Sequence, residues 1–261
     1  MIGAIWAYRD FIRGSVQREF QIKNRNSLLG AAWNIINPLA MILVYTVIFA
    51  QVMRAKLQGV DSTFAYSIYL CAGVLTWGLF AEMVGRSLTM FLDNANLLKK
   101  ISFPRIILPI IVVANAALNF AIVFGLFLAF LVASGNFPGW VVLAVLPVLA
   151  LQMAFAMGLG MVLGVLNVFF RDIGQFFGIF LQFWFWLTPI VYPASILPQA
   201  IQPFLVINPM ASVMTAYQSI LVNHQWPNWF DMYPTALLAV GLCLLGLRLF
   251  KKNVSEMVDE L

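Results

Sequence analysis

Few side chains in this sequence are equipped for bond-making chemistry, and their spacing points away from it. There is one histidine, His224, and no cluster of histidines and cysteines at metal-ligand spacing. No glycine-rich Gly-x-x-x-x-Gly-Lys run exists to cradle nucleotide phosphates. No pair of carboxylates lies together within the long apolar runs, where an acid–base or proton-relay mechanism would need them. Glu82 and Arg86 are four residues apart, the spacing at which opposite charges pair on one helical face. Asn115 and Asn119 share that spacing in an alanine-rich run, and with the small pair Gly160 and Gly164 they read as contacts between helices.

Two other patterns remain. The stretch Phe176, Phe177, Phe180, Phe183, Trp184, Phe185, Trp186, ending in Thr188-Pro-Ile-Val-Tyr192, concentrates aromatic rings. Such rings stack on the apolar faces of sugars, and they also anchor helices at lipid headgroups. Tyr45, Phe49, Trp77 and Phe80 carry the same two meanings, and the sequence does not say which rings share a face. The second pattern is Asn94 to Arg105, a basic, turn-bounded segment holding Lys99, Lys100 and Arg105. Pro104 bars a helix from continuing through it and biases Phe103 toward extended geometry. This segment reads as a connector emerging at a membrane face, where a partner on the water side could grip it.

The elements that must hold these residues follow from composition. Of 261 residues, 62% are hydrophobic and 10% are charged, so the chain reads as an all-α polytopic membrane protein forming one domain. About 20 residues cross the hydrocarbon. Six spans are expected, at Trp33–Met53, Phe64–Arg86, Arg105–Ala133, Trp140–Phe169, Ile173–Val191 and Met232–Phe250. Residues 1–32 mix aromatics with Arg9, Arg13, Arg18, Lys23 and Arg25, which suits a helix lying in the inner interface, although Glu19 interrupts its apolar face. No cleavable leader pattern precedes it. Residues 251–261 read as a cytoplasmic tail.

Thirteen of the fifteen lysines and arginines fall on one side of this arrangement, with only Arg54 and Lys56 opposite, so both termini are expected in the cytoplasm. The same distribution accounts for the net charge of +5 without a nucleic-acid partner. Cys71 and Cys243 lie in apolar runs and imply no disulfide framework. The connection from Pro193 to Asp231 holds five prolines around a short helix at Ala211–Val222. It reads as a broken, partly re-entrant hairpin on the outer side, because irregular backbone at membrane depth must be satisfied by protein or water.

Five stretches together resemble the permease subunit of polysaccharide-exporting ABC transporters, the O-antigen exporter group especially. They are Lys23 to Leu39, with Asn26-Ser-Leu-Leu-Gly30, Trp33 and Asn37-Pro-Leu39; Asn94, Leu97-Leu98-Lys99 and Phe103-Pro-Arg105; Asn167 with Arg171-Asp172-Ile173; Thr188-Pro-Ile-Val-Tyr192; and Asn208-Pro-Met210. The family often places an arginine downstream of that Asn-Pro, where this chain has Tyr217-Gln218.

The resemblance implies a transport permease and not an enzyme. It implies a homodimer with two copies of a separate ATPase subunit that binds ATP and Mg, this chain carrying no cofactor or metal. It also implies a polyprenyl-diphosphate-linked polysaccharide as cargo, in a bacterial inner membrane. The ATPase would couple through Asn94, Leu97, Lys99, Lys100, Phe103, Pro104, Arg105, Arg171 and Asp172. Arg9, Arg13, Lys23 and Arg25 would meet the diphosphate. Sugars would pass Tyr45, Phe49, Trp77, Phe80, Phe176, Phe180, Phe183, Trp184, Trp186 and Tyr192, with Pro189, Tyr192, Asn208 and Pro209 forming the outer gate. A permease of the same build for teichoic-acid, capsular, drug or lipid cargo, and a proton-driven carrier, are the alternatives.

Overall fold

The computed structural model describes residues 8–23, 32–52, 64–99, 105–198 and 202–260, and every regular element among them is helical. In chain order these are α1 (Arg9–Lys23), α2 (Trp33–Thr46), α3 (Ala65–Asp93), α4 (Ala95–Leu98), α5 (Ile107–Ala133), α6 (Val145–Phe169), α7 (Asp172–Leu187), α8 (Gln202–Leu205), α9 (Pro209–Leu221) and α10 (Tyr233–Glu260). Pro38 lies inside α2, which passes into a π-helical turn at Val47–Val52.

Four stretches are long and apolar enough to cross a membrane: Ala65–Asp93, Ile107–Ala133, Gly139–Phe169 and Trp229–Glu260. They fall on the second, third, fourth and sixth expected spans. α3 runs past its expected end at Arg86 to Asp93, and α10 past Phe250 to Glu260. Hydropathy marks where hydrocarbon ends, whereas a helix continues into water for as long as its backbone bonds and one packed face support it. The other two expected spans are shorter helices here, the apolar stretch Ile35–Phe49 and the 16-residue α7.

α3 is the central element, its apolar window far more buried than those of the other three. Small residues explain how neighbours approach it. A Cβ added to Gly160 or Gly164 of α6 would collide with Ser87 of α3, so both glycines are required for that crossing. α10 lies on another face of α6 by the same device. A Cβ on Gly158 would meet the Cys243 amide nitrogen at 2.7 Å, and one on Gly246 would meet Met161 at 2.9 Å. Asn167 closes the lower end of the α3–α6 pair, donating to the Leu88 carbonyl at 2.8 Å and accepting from the Gly174 amide at 2.8 Å.

Apolar packing divides into two bodies. The larger fills the bundle from Ile42 and Ile68 through Phe155 to Ile220. The smaller joins the lower ends of α3, α5, α6 and α10 around Met90, Phe91, Leu98, Leu108, Phe250 and Met257. Residues 251–260, expected as a tail, are therefore the end of a packed helix, with Met257 buried and the Arg105 guanidinium donating to the Val254 carbonyl at 3.3 Å.

Candidate functional site

α7 carries most of the aromatic signal, and helical geometry sorts it into two faces. Phe177 and Trp184 are buried, whereas Phe176, Phe183 and Trp186 are exposed; Phe180 is also exposed while its ring packs against Phe177 and Trp184. Trp184 stands edge-on to Trp77, Phe80 and Phe155 at centroid separations of 6.1, 5.3 and 6.3 Å. Phe80 and Phe155 are stacked at 5.6 Å, 3° apart. Trp77, Phe80 and Trp184 thus pack together within the chain, Trp184 edge-on to the other two. Nearer the other end, Tyr45 and Phe49 approach each other, and Phe49 lies 5.2 Å from Tyr66.

The segment after α7 is held carbonyl by carbonyl. Thr188-Pro-Ile-Val-Tyr192 cannot form a helix through Pro189, so its carbonyls need partners from elsewhere. Tyr69 of α3 donates to the Pro189 carbonyl at 3.0 Å and to the Tyr192 carbonyl at 2.8 Å. Tyr66, one helical turn earlier, donates to Val191 at 2.7 Å, and Gln218 of α9 donates to Pro189 at 2.8 Å. Tyr192 returns its hydroxyl to the Trp186 carbonyl at 2.6 Å. Ile190 is fully buried against Gly73, where a Cβ would meet it at 3.0 Å.

Asn208 ties the two halves of the hairpin together. Its Oδ1 caps α9 by accepting from the Met210 amide at 3.1 Å and also accepts the Trp184 indole N–H at 2.8 Å. Its Nδ2 donates to the Thr188 hydroxyl at 3.0 Å. Pro209 occupies the first helical position, where its missing N–H costs nothing. Tyr217 donates to Gln152 Oε1 at 2.8 Å, and Gln152 donates to the Thr76 carbonyl at 2.6 Å.

At the opposite end, the residue that spoils the apolar face of α1 has a charged partner. Glu19 pairs with Arg86 of α3 and accepts from Asn115 of α5. Arg86 also pairs with Glu82 at 3.0 Å, and Glu82 accepts from Asn119 at 2.8 Å. The two spaced pairs legible in the sequence are therefore halves of one network that also fastens α1.

Beside it, a cavity of about 480 Å³ between α1, α3, α4 and α5 is lined by Arg18, Glu19, Arg86, Asp93 and Asn94 among others. Arg9, Arg13, Arg171 and Asp172 are exposed, as is Lys99, while Leu97 packs on the smaller core and Asn94 bonds back to the Met90 carbonyl. Of the other expected contacts, Arg25, Lys100, Phe103, Pro104 and the side chain of Lys23 lie outside the described residues.

Sequence reasoning did not anticipate Tyr66, Tyr69, Gln152 or the partner of Glu19. Tyrosines three residues apart on a span are ordinary belt residues until an irregular segment is seen opposite them.

A bundle with four helices long and apolar enough to cross a membrane defines a polytopic membrane protein. The chain belongs to the ABC-2 type transporter family, whose model matches residues 12–222. It is similar to the O-antigen export system permease protein RfbA of Myxococcus xanthus, 31% identical over 263 residues, spanning 100% of this chain and 99% of the relative. Two Klebsiella pneumoniae proteins of the same name are 29% and 28% identical, each spanning 90% of this chain and 88% of the relative.

Proposed function

We propose that this chain is the membrane-spanning subunit of an ATP-driven exporter that moves polyprenyl-diphosphate-linked polysaccharide of O-antigen type across the bacterial inner membrane. Two copies form the conduit, each with six spans, α2 and α7 being the two shorter ones, and with both termini cytoplasmic. Two ATPase subunits, which carry ATP and Mg, dock on the Asn94–Arg105 segment and on Arg171 and Asp172. The diphosphate meets Arg9, Arg13, Lys23 and Arg25.

The observation that carries this reading is the outward aromatic face of α7, which ends at a carbonyl-rich hairpin. Phe176, Phe183 and Trp186 are available to face a passage at the dimer axis, with Tyr45, Phe49, Phe180 and Tyr192 continuing it. Trp77, Phe80 and Trp184 stiffen that wall from within. Stacking contacts of this kind are individually weak, which suits a chain that must leave as readily as it enters. Pro189, Tyr192, Asn208 and Pro209 close the outer end at rest.

Co-expression with candidate ATPase subunits in a strain lacking its own exporter tests the reading. Co-purification of the two chains and restored surface polysaccharide are expected. Transport by this chain reconstituted alone would overturn it.

A further inference from the structure

A second cavity, of about 590 Å³, lies between α2, α3 and α5. Its lining is sorted by height. Asn37, Glu82 and Asn119 lie at one end, and Met41, Val74 and Val123 at the other. Eight residues separate Glu82 from Val74 on α3, a rise of about 12 Å. With the termini on the inner side, the polar end sits at the inner headgroup level and the apolar end points toward the bilayer centre. That is the outline of a membrane lipid: most of the lining is apolar and a few polar groups converge at one end.

The polar end also specifies a sign. Glu82 is the one charged side chain among the lining residues. It shares Arg86 with Glu19, so among the described ion pairs two carboxylates meet a single guanidinium. Glu82 Oε1 already accepts from Arg86 and Oε2 from Asn119, yet a carboxylate offers about four acceptor positions. A phosphate at this end would face Glu82; an ammonium would complete it.

We propose that this groove binds an inner-leaflet phospholipid with an ammonium headgroup, of the phosphatidylethanolamine type. The ammonium donates to Glu82 and one acyl chain lies along Met41, Val74 and Val123. Its lining shares no residue with the cavity beneath α1, and the assignment does not depend on what the cargo is.

Gly78 provides the test. It is exposed, it lines the groove, and a Cβ placed on it meets nothing within 4 Å. Gly78→Leu therefore fills the groove without disturbing the helix crossings, and it removes a glycine from a helix interior. The full-length protein in detergent is titrated with phosphatidylethanolamine, phosphatidylglycerol and undecaprenyl phosphate, and bound lipid is counted by native mass spectrometry. Phosphatidylethanolamine is expected to bind the unsubstituted protein roughly tenfold more tightly than phosphatidylglycerol, and Gly78→Leu to lose that preference. Glu82→Gln should narrow the difference between the two headgroups while lipid still enters. Equal binding of both phospholipids, an unaltered preference in Gly78→Leu, or displacement by equimolar undecaprenyl phosphate would each overturn the assignment.

Discussion

The indole N–H of Trp184 is bonded to Oδ1 of Asn208 at 2.8 Å, joining the inward aromatic face of α7 to the cap of α9 across the break in the hairpin. One amide therefore serves as helix cap, indole acceptor and donor to Thr188. Loss of Asn208 should open the hairpin at both ends. Asn208→Ala is expected to lower stability by about 2–4 kcal/mol, from the cap together with stranded partners. Asn208→Asp, which keeps both acceptor roles, should recover part of it. Thermal unfolding in detergent checks both.

The two neighbouring tryptophans should behave differently. Trp184→Ala empties a buried aromatic cluster and is expected to cost about 3–5 kcal/mol, with poor accumulation in the membrane. Trp186→Ala truncates an exposed ring and should leave the melting temperature and ATPase co-purification unchanged while reducing surface polysaccharide. Normal export by Trp186→Ala would remove it from the passage lining.

Glu19 fixes α1 to the bundle through charge, so its contribution should be sensitive to salt. Both partners are partly exposed, which limits the coupling between Glu19→Ala and Arg86→Met in a double-mutant cycle to about 1 kcal/mol. Amide exchange in α1 should accelerate in Glu19→Ala, and in the unsubstituted protein it should rise with ionic strength. Exchange that ignores both changes would mean that the ion pair does not hold α1.

Glycines should divide by what stands opposite them. Gly164→Ala drives a methyl into the Ser87 carbonyl and is expected to destabilise the fold by about 1–3 kcal/mol. Gly125→Ala meets open space and should be neutral or stabilising by up to about 1 kcal/mol. Unfolding curves of the two variants, measured side by side, give the comparison.

Tyr217→Phe removes one hydroxyl from a fully buried site and leaves Gln152 Oε1 without its partner. A loss of about 1–3 kcal/mol is expected. Adding Gln152→Leu should cost less than the two single losses together, since the pair is removed as a unit.

Much of the architecture was legible in order along the chain. Apolar run length located the four long helices, because twenty residues that avoid water have little choice of environment. The short helix expected at Ala211–Val222 is α9, which starts at Asn208-Pro209. Asn115 and Asn119 read as contacts between helices, and both bond across α5 to other elements. Helix ends were less legible. α10 continues to Glu260 because Phe250, Val254 and Met257 find a packed face below the apolar span, a face made by residues far away in sequence.

The sequence by itself determined the class: its hydropathy required a membrane, and its five short stretches pointed to the family. Only tertiary structure decided what each polar and aromatic side chain meets. It turned Trp184 inward and Trp186 outward, gave Glu19 to Arg86, and set Tyr66 and Tyr69 over the carbonyls of the hairpin. The reason is one of range. Transfer from water is a property each residue carries alone, whereas a hydrogen bond or a ring contact exists only once two distant segments have been brought within a few ångströms.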